Sequence, residues 1–184
     1  MPIALEAYIP AGLLTGSVVA DGRLLDLLAG FTSVVVQHAS VAPLDGAPHR
    51  TDDWSTVAVD DLLIIVAAPG TVTAHHAVWH PIVIDAGPYR IQGELPALPG
   101  FDPARALARP TGSFVLLGQA AVELRSEGAT AGRNEHAFVW VNRYAVERVE
   151  TDLELGFFFP GAHEILTGHT PPAAHQESML HRTA

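Results

Sequence analysis

The residues in this chain best suited to bind a transition metal are its histidines, because a neutral imidazole can ligate zinc, copper, iron or nickel. His75, His76 and His80 form the densest group. On a strand, His76 and His80 share one face and His75 lies on the other, so the three cannot converge from one segment. A metal site would need a group from a neighbouring strand, for which His38 and His136 are the candidates.

The alternative interpretation of these histidines is structural. Next to Trp79, they would be amphipathic side chains on a half-exposed strand, and no recognised ligand spacing such as H-E-x-x-H is present. The structural interpretation is favoured. No cofactor is therefore predicted, and a transition metal is kept only as the less favoured alternative.

Other residue types exclude several kinds of catalysis. The chain contains no cysteine and no lysine, which excludes thiolate chemistry, a phosphate-binding loop lysine and Schiff-base formation. The pairs Asp52-Asp53 and Asp60-Asp61 are adjacent, so on a strand their members point to opposite faces and cannot act as a paired acid and base. We interpret Asp60 and Asn142 as bulge or turn residues. The sequence thus favours a non-catalytic protein.

Three consecutive aromatic residues, Phe157, Phe158 and Phe159, suggest a contact surface. Successive side chains on a strand alternate between its two faces, so the three cannot all point into one core. An exposed apolar patch typically marks a protein interface. We predict an interaction patch at Phe157–Phe159, serving a protein partner or self-association.

Composition and charge narrow the remaining function classes. The 184 residues carry a net charge of −10, which disfavours binding to nucleic acid. The longest apolar run, Leu62 to Ala68, is too short for a membrane span, which takes roughly 20 residues. Without a recognisable signal peptide, a cytoplasmic location is expected. The absence of lysine, with abundant Ala, Gly, Pro and Val, suggests a bacterial genome rich in G and C.

The elements that must position these residues occur twice along the chain. Pro2–Ala7 is echoed by Pro81–Ala86, Leu14-Thr15-Gly16 by Ile91-Gln92-Gly93, and Val57–Asp60 by Val139–Asn142. Such self-similarity is typical of an internal repeat. We predict a first β-rich repeat at 1–79, a second at 80–161 and a flexible C-terminal tail at 162–184.

Each predicted copy begins with two strands and a short helix, followed by further strands. Asp21 is a candidate N-cap for the first helix, and Asp102-Pro103 precedes the second, Ala104–Ala108. The predicted strands are 3–9, 13–19, 32–41, 54–67, 71–78, 82–84, 89–95, 113–124, 136–149 and 153–159. The fold class is therefore mainly β with short helices. Two homologous β-α-β-β(-β) halves would form a pseudo-twofold pair of small barrels or one sandwich.

One stretch of the sequence carries a family resemblance. Arg23–Leu28, preceded by Leu14-Thr15-Gly16 and followed by the Val-rich Phe31–Val36, resembles an uncharacterised group of small bacterial β-proteins. Their pattern is I-x-G, then an R-L-x-D-L-L helix, and later V-x-V-N, which Val139–Asn142 matches. The resemblance implies a β-domain and no particular activity.

Taken together, the sequence predicts a non-catalytic interaction or assembly module, or an accessory subunit of a bacterial complex. The alternative is a small-molecule- or metal-binding enzyme with a histidine-lined site between the two repeats, where concave pockets are common.

Overall fold

The computed structural model describes residues 1–68, 76–100, 102, 112–125 and 132–168, and it confirms a mainly β fold. The described residues contain one α-helix, α1 (Leu24–Gly30), and a short 3₁₀ helix (Val59–Asp61). The strands, in chain order, are β1 (Pro2–Ile9), β2 (Gly12–Val19), β3 (Ser33–Pro43), β4 (Arg50–Ala58), β5 (Ile64–Val66), β6 (Val78–Ala86), β7 (Tyr89–Ala97), β8 (Phe114–Leu124), β9 (Asn134–Asn142), β10 (Val146–Thr151) and β11 (Glu164–Thr167). No helix among the described residues is long and apolar enough to cross a membrane.

The eleven strands of the described residues belong to one sheet, in the order β11-β10-β6-β7-β8-β9-β5-β1-β2-β3-β4. Strands β1 to β4 form an antiparallel meander, and β5 returns to pair with β1. Strands β6 to β9 form a second meander, and β10 returns to pair with β6. The two parts join where β5 pairs with β9, and β11 adds to β10 in parallel.

Both meanders bend at a β-bulge on their third strand. His38 on β3 and Gln119 on β8 have positive φ angles of 50° and 48°, which are uncommon for residues other than glycine. The facing residues on β2 and β7 are Gly16 and Gly93. A Cβ atom there would lie 2.8 and 3.1 Å from carbonyl oxygens of β3 and β8. A side chain at Gly16 would therefore collide with the bulged strand.

The buried apolar residues form two clusters, one from each part of the sheet. The first lies around Val36 and Leu14, and the second around Ile84 and Leu117. Strand β5 contributes side chains to both clusters, because Ile65 packs in the first cluster and its neighbour Ile64 packs in the second. Side chains alternate across a strand, so β5 is buried on both faces.

Two long predicted strands are each broken in the structure. The segment 54–67 is interrupted by the 3₁₀ helix that contains Asp60, and 136–149 by a turn at Asn142. Within that turn the side-chain oxygen of Asn142 accepts a hydrogen bond of 3.1 Å from the backbone N–H of Tyr144. Asx residues favour such local turns over a continued strand.

Other predicted elements differ from the structure at their ends. Helix α1 begins with Arg23 as its N-cap residue and has no side-chain cap bond, so Asp21 does not cap it. The predicted strand 153–159 is instead a series of turns between β10 and β11. Strand β11 lies inside the segment 162–184 that the sequence predicts to be a flexible tail. The predicted helix Ala104–Ala108 lies outside the described residues, as does 71–75 of the predicted strand 71–78.

Candidate functional site

Strand β4 forms one end of the sheet and exposes its backbone edge. It pairs with β3 over eight residue pairs, and no other strand in the described part of the chain pairs with it. Most of its side chains are exposed, and Trp54 is 67% exposed. A nine-residue strand with a free edge offers a row of N–H and C=O groups to which another strand can add.

Apolar side chains surround this edge on one face of the sheet. Gln37 pairs with Trp54 and Val35 with Thr56, so these side chains share a face. Val35, Val19 and Phe31 are exposed as well. A groove of about 320 Å³ lies beside α1, lined by Val18, Val19, Leu27, Phe31, Ser33, Val34, Val35 and Gln37. We call the outer edge of β4, together with Val19, Phe31, Val35 and Trp54, the β4 edge surface.

Charged residues occupy the first part of β4. Arg50, Asp52 and Asp53 are all exposed. Charges on an edge strand reduce indiscriminate strand addition, because a partner must accommodate them without burying them unpaired. The β4 edge surface is therefore apolar towards α1 and charged towards the start of β4.

A second candidate site lies where the two parts of the sheet meet. The hydroxyl oxygen of Tyr8 on β1 lies 2.8 Å from Nε2 of His136 on β9, and these two strands flank β5. The hydroxyl of Tyr89 donates to the carbonyl of Ile9 at 2.9 Å, and the rings of Tyr8 and Tyr89 meet edge to face, with centroids 5.1 Å apart. The three residues thus connect both meanders.

Burial controls the ionisation of this cluster. It lowers the pKa of His136, against the opposing field of Glu6. It also raises the pKa of Tyr8, although a hydrogen bond from Asn134 acts in the other direction. At neutral pH, Tyr8 and His136 therefore form an uncharged hydrogen-bonded pair. Two cavities adjoin it: one of about 110 Å³ beside Tyr8 and one of about 190 Å³ beside His136.

The other predicted metal ligands are placed in different surroundings. His38 is exposed at the bulge of β3, and His76 is exposed before β6. Nδ1 of His80 lies 3.9 Å from an Asp152 carboxylate oxygen. His75 lies outside the described residues. Within the described ranges, no group of three or more His, Asp or Glu side chains is arranged to hold a metal ion.

The predicted aromatic patch is divided between surface and core. Phe157 is 70% exposed, whereas Phe158 and Phe159 are 5% and 1% exposed. The reason is that these residues form a turn and not a strand, so alternation does not apply. Nε of Arg143 donates to the carbonyl of Phe158 at 2.6 Å, and its guanidinium carbon lies 4.8 Å from the centre of the Phe158 ring. Only Phe157 remains available to a partner.

Sequence reasoning missed Tyr8 and Tyr89 of the second site, and also Trp54 and Arg143. Aromatic residues in strands are usually buried, so residue type alone would place Trp54 in the core. The sequence around it nevertheless carries a signal. Asp52 and Asp53 precede it and Ser55 and Thr56 follow, so polar residues occupy both faces of the strand. For Arg143 we find no comparable signal, since its partners are backbone carbonyls that are distant in sequence.

Comparison with protein-family models, with curated proteins and with solved structures gives no match. The function proposed below is therefore inferred from the geometry of this chain.

Proposed function

We propose that the chain is a non-catalytic assembly module that binds another polypeptide strand along the outer edge of β4. Strand addition is a common mode of protein recognition, in which backbone hydrogen bonds supply affinity and neighbouring side chains supply specificity. The β4 edge surface offers both a free backbone edge and exposed apolar side chains. As an accessory subunit of a bacterial complex, the protein would join a partner through this surface.

We also propose that the sheet consists of two copies of one five-strand unit, β1–β5 and β6–β10. The strand orders β5-β1-β2-β3-β4 and β10-β6-β7-β8-β9 support this. The bulges at His38 and Gln119, opposite Gly16 and Gly93, lie at corresponding places. Division into two units before β6, which begins at Val78, agrees with these strand orders better than the predicted boundary between 79 and 80.

The strand registers modify the sequence alignment of the proposed copies. The opening hairpins correspond when Gly16 is matched with Gly93, as the sequence predicts. The same offset matches Pro2 with Trp79, two residues before Pro81. Further along, Ser33 pairs with Ala58 and Phe114 with Asn142, so Asn142 corresponds to Ala58 and not to Asp60.

The observation that carries the proposed function is the state of the edges of the two units. The outer edges of β5 and β9 cover each other, and β11 covers the outer edge of β10. Within the described residues, the sheet has two open edges, and the nine-residue edge of β4 is longer than the four-residue edge of β11. Long open edges are usually shortened, bent or covered in stable proteins, so a nine-residue open strand favours a binding role.

The pairing of β5 with β9 is an example, within this chain, of two strand edges that join two parts of the sheet. Where β9 pairs with β5, Phe114 and Trp140 pack against the core of the first unit. Edge pairing there is combined with contact between faces. At the corresponding places on the first unit, Ser33 and Thr56 are exposed beside Val35 and Trp54. A partner of β4 would contact this mixed face.

The second candidate function is a small-molecule- or metal-binding enzyme with a site between the units. One observation favours it: among the predicted histidines, His136 lies at the junction, bonded to Tyr8 and beside a cavity. Among the described residues, no three His, Asp or Glu side chains are grouped there to hold a metal ion, so we rank it below the assembly function.

Affinity purification of the full-length protein from its own host tests the proposed function. We compare wild type with Trp54→Arg, and use Phe157→Ser as the control because Phe157 is equally exposed outside the β4 edge surface. Replacing a central interface tryptophan typically costs about 2 kcal/mol, roughly thirtyfold in affinity. We expect Trp54→Arg to lose a bound protein, whether another chain or a second copy, that Phe157→Ser retains. Equal recovery by all three contradicts the proposal, and stoichiometric metal lost in His136→Gln favours the alternative.

A further inference from the structure

We infer that the strand bound at the β4 edge is β4 of a second copy of this chain, which gives a twofold-symmetric dimer with a continuous sheet. The inference rests on the proposed function and names its partner. Twofold dimers are the commonest soluble oligomers, and their interfaces use the same patch on both subunits.

At the opposite end of the sheet the open edge belongs to β11, which has only four residues. Strand β11 pairs with β10 from Arg148 to Thr151, and the preceding turn is held by buried Phe158 and Phe159. Arg143 adds hydrogen bonds to the carbonyls of Phe158 and Gly112, at 2.6 and 3.2 Å. Freeing β10 would expose these side chains and leave a charged group without its buried partners. A head-to-tail contact could pair β4 with only the four residues of β11, whereas two β4 strands can pair over nine, so contact between two copies of β4 is favoured.

The position of Trp54 fixes the register in which β4 can pair with itself over its full length. Trp54 is the middle residue of Arg50–Ala58, so an antiparallel pair centred on it aligns all nine residues. Residues directly opposite share a face, so the two β4 edge surfaces lie on one face of the joined sheet, each with its apolar part beside the charged start of the other β4. The two Trp54 side chains then meet at the twofold axis.

This register also avoids direct contact between like charges. Asp53 lies opposite Ser55 of the partner subunit, and Asp52 lies opposite Thr56 of the partner subunit, so each carboxylate faces a hydroxyl group. The whole chains nevertheless repel each other, since each carries a net charge of −10. Salt screens such repulsion. The dimer is therefore expected to tighten as the salt concentration rises.

The absence of cysteine from the sequence permits a direct test of the register. In the full-length protein, Trp54→Cys places the two thiols opposite each other at the axis, at a separation of about 5 Å between Cβ atoms. Thr56→Cys is the matched control, because it lies on the same strand and face. Its copy in the partner is displaced by four residues, about 13 Å, beyond the reach of a disulfide.

Under mild oxidation we expect Trp54→Cys to form covalent dimers and Thr56→Cys to remain uncross-linked. Mixing Asp52→Cys with Thr56→Cys should give a disulfide-linked dimer that contains one chain of each variant.

By light scattering the wild type should have twice the chain mass of 19.5 kDa, while Trp54→Arg should be a monomer and Phe157→Ser a dimer. A wild type that stays monomeric at high concentration, or a dimer that does not cross-link through position 54, overturns the inference.

These outcomes separate the inference from the proposed function on which it rests. A monomer that still binds a different host protein, in a manner that depends on Trp54, removes the second copy as the occupant and leaves the assembly role intact. A monomer with no Trp54-dependent partner overturns both.

Discussion

At the scale of single residues, the ionisation of His136 is coupled to folding. Burial lowers its pKa below the ordinary value of 6.5. The unfolded chain therefore takes up the proton first as the pH falls. The contribution of neutral His136 to stability is complete above about pH 6.5 and decreases as the pH falls from there towards the folded-state pKa.

We expect wild type to lose more stability than His136→Gln between about pH 8 and about pH 5. Glutamine can still hydrogen-bond to Tyr8 but does not titrate in this range. Urea denaturation of both proteins at the two pH values measures the difference. An equal loss in both would show that His136 ionises in the folded protein as it does in the unfolded chain.

Trp54 and Arg143 show which residue roles a sequence can reveal. The residues on either side of Trp54 in the sequence indicate that it is exposed, because Asp53 and Ser55 are both polar. The role of Arg143 depends on the carbonyls of Phe158 and Gly112, which folding alone brings to it. Contacts to the backbone leave no trace in residue type, so such a role follows only from the structure.

At the scale of elements, the two bulges make a comparison possible within one molecule. A methyl group at Gly16 would lie 2.8 Å from the carbonyl oxygen of Gln37, whereas one at Gly93 would lie 3.1 Å from that of Gly118. We expect Gly16→Ala to lower the free energy of unfolding by about 2 kcal/mol, in the range found for overpacking. Gly93→Ala should cost under about 1 kcal/mol, since a shift of a few tenths of an ångström relieves the contact.

Chemical denaturation of the two alanine variants measures this difference. Equal destabilisation would mean that β2 and β7 approach their bulged neighbours equally closely.

The sequence predicts the strands better than their alignment, for a physical reason. Side chains alternate with a period of two, so a shift of two residues leaves every side chain on its original face. Matching Pro2 with Pro81 or with Trp79 preserves the same apolar pattern. Hydrogen-bond register alone distinguishes them. The mainly β fold and helix α1 are accordingly predicted, while the offset between the proposed copies is not.

At the scale of the whole molecule, the C-terminal part of the sheet determines which strand forms the open edge opposite β4. Truncation after Gly161 removes β11 and uncovers the edge of β10. The open edge opposite β4 then has the six residues of β10 in place of the four of β11, so copies can add at both ends and we expect a broad distribution of large species. Truncation after Gly168 is the control, because it retains β11. Light scattering measures the oligomeric state of both truncated proteins. If the protein truncated after Gly161 forms the same oligomer as the control, β11 does not protect the edge of β10 from the addition of further copies.

The double burial of β5 has a consequence for how the protein unfolds. Ile64 and Ile65 hold one strand in two clusters at once, so neither cluster can lose its packing without disturbing a strand that the other needs. Local opening around β5 would then cost packing energy in both clusters, so we expect the sheet to unfold in one cooperative transition. We therefore expect the two parts of the sheet to behave thermodynamically as a single domain.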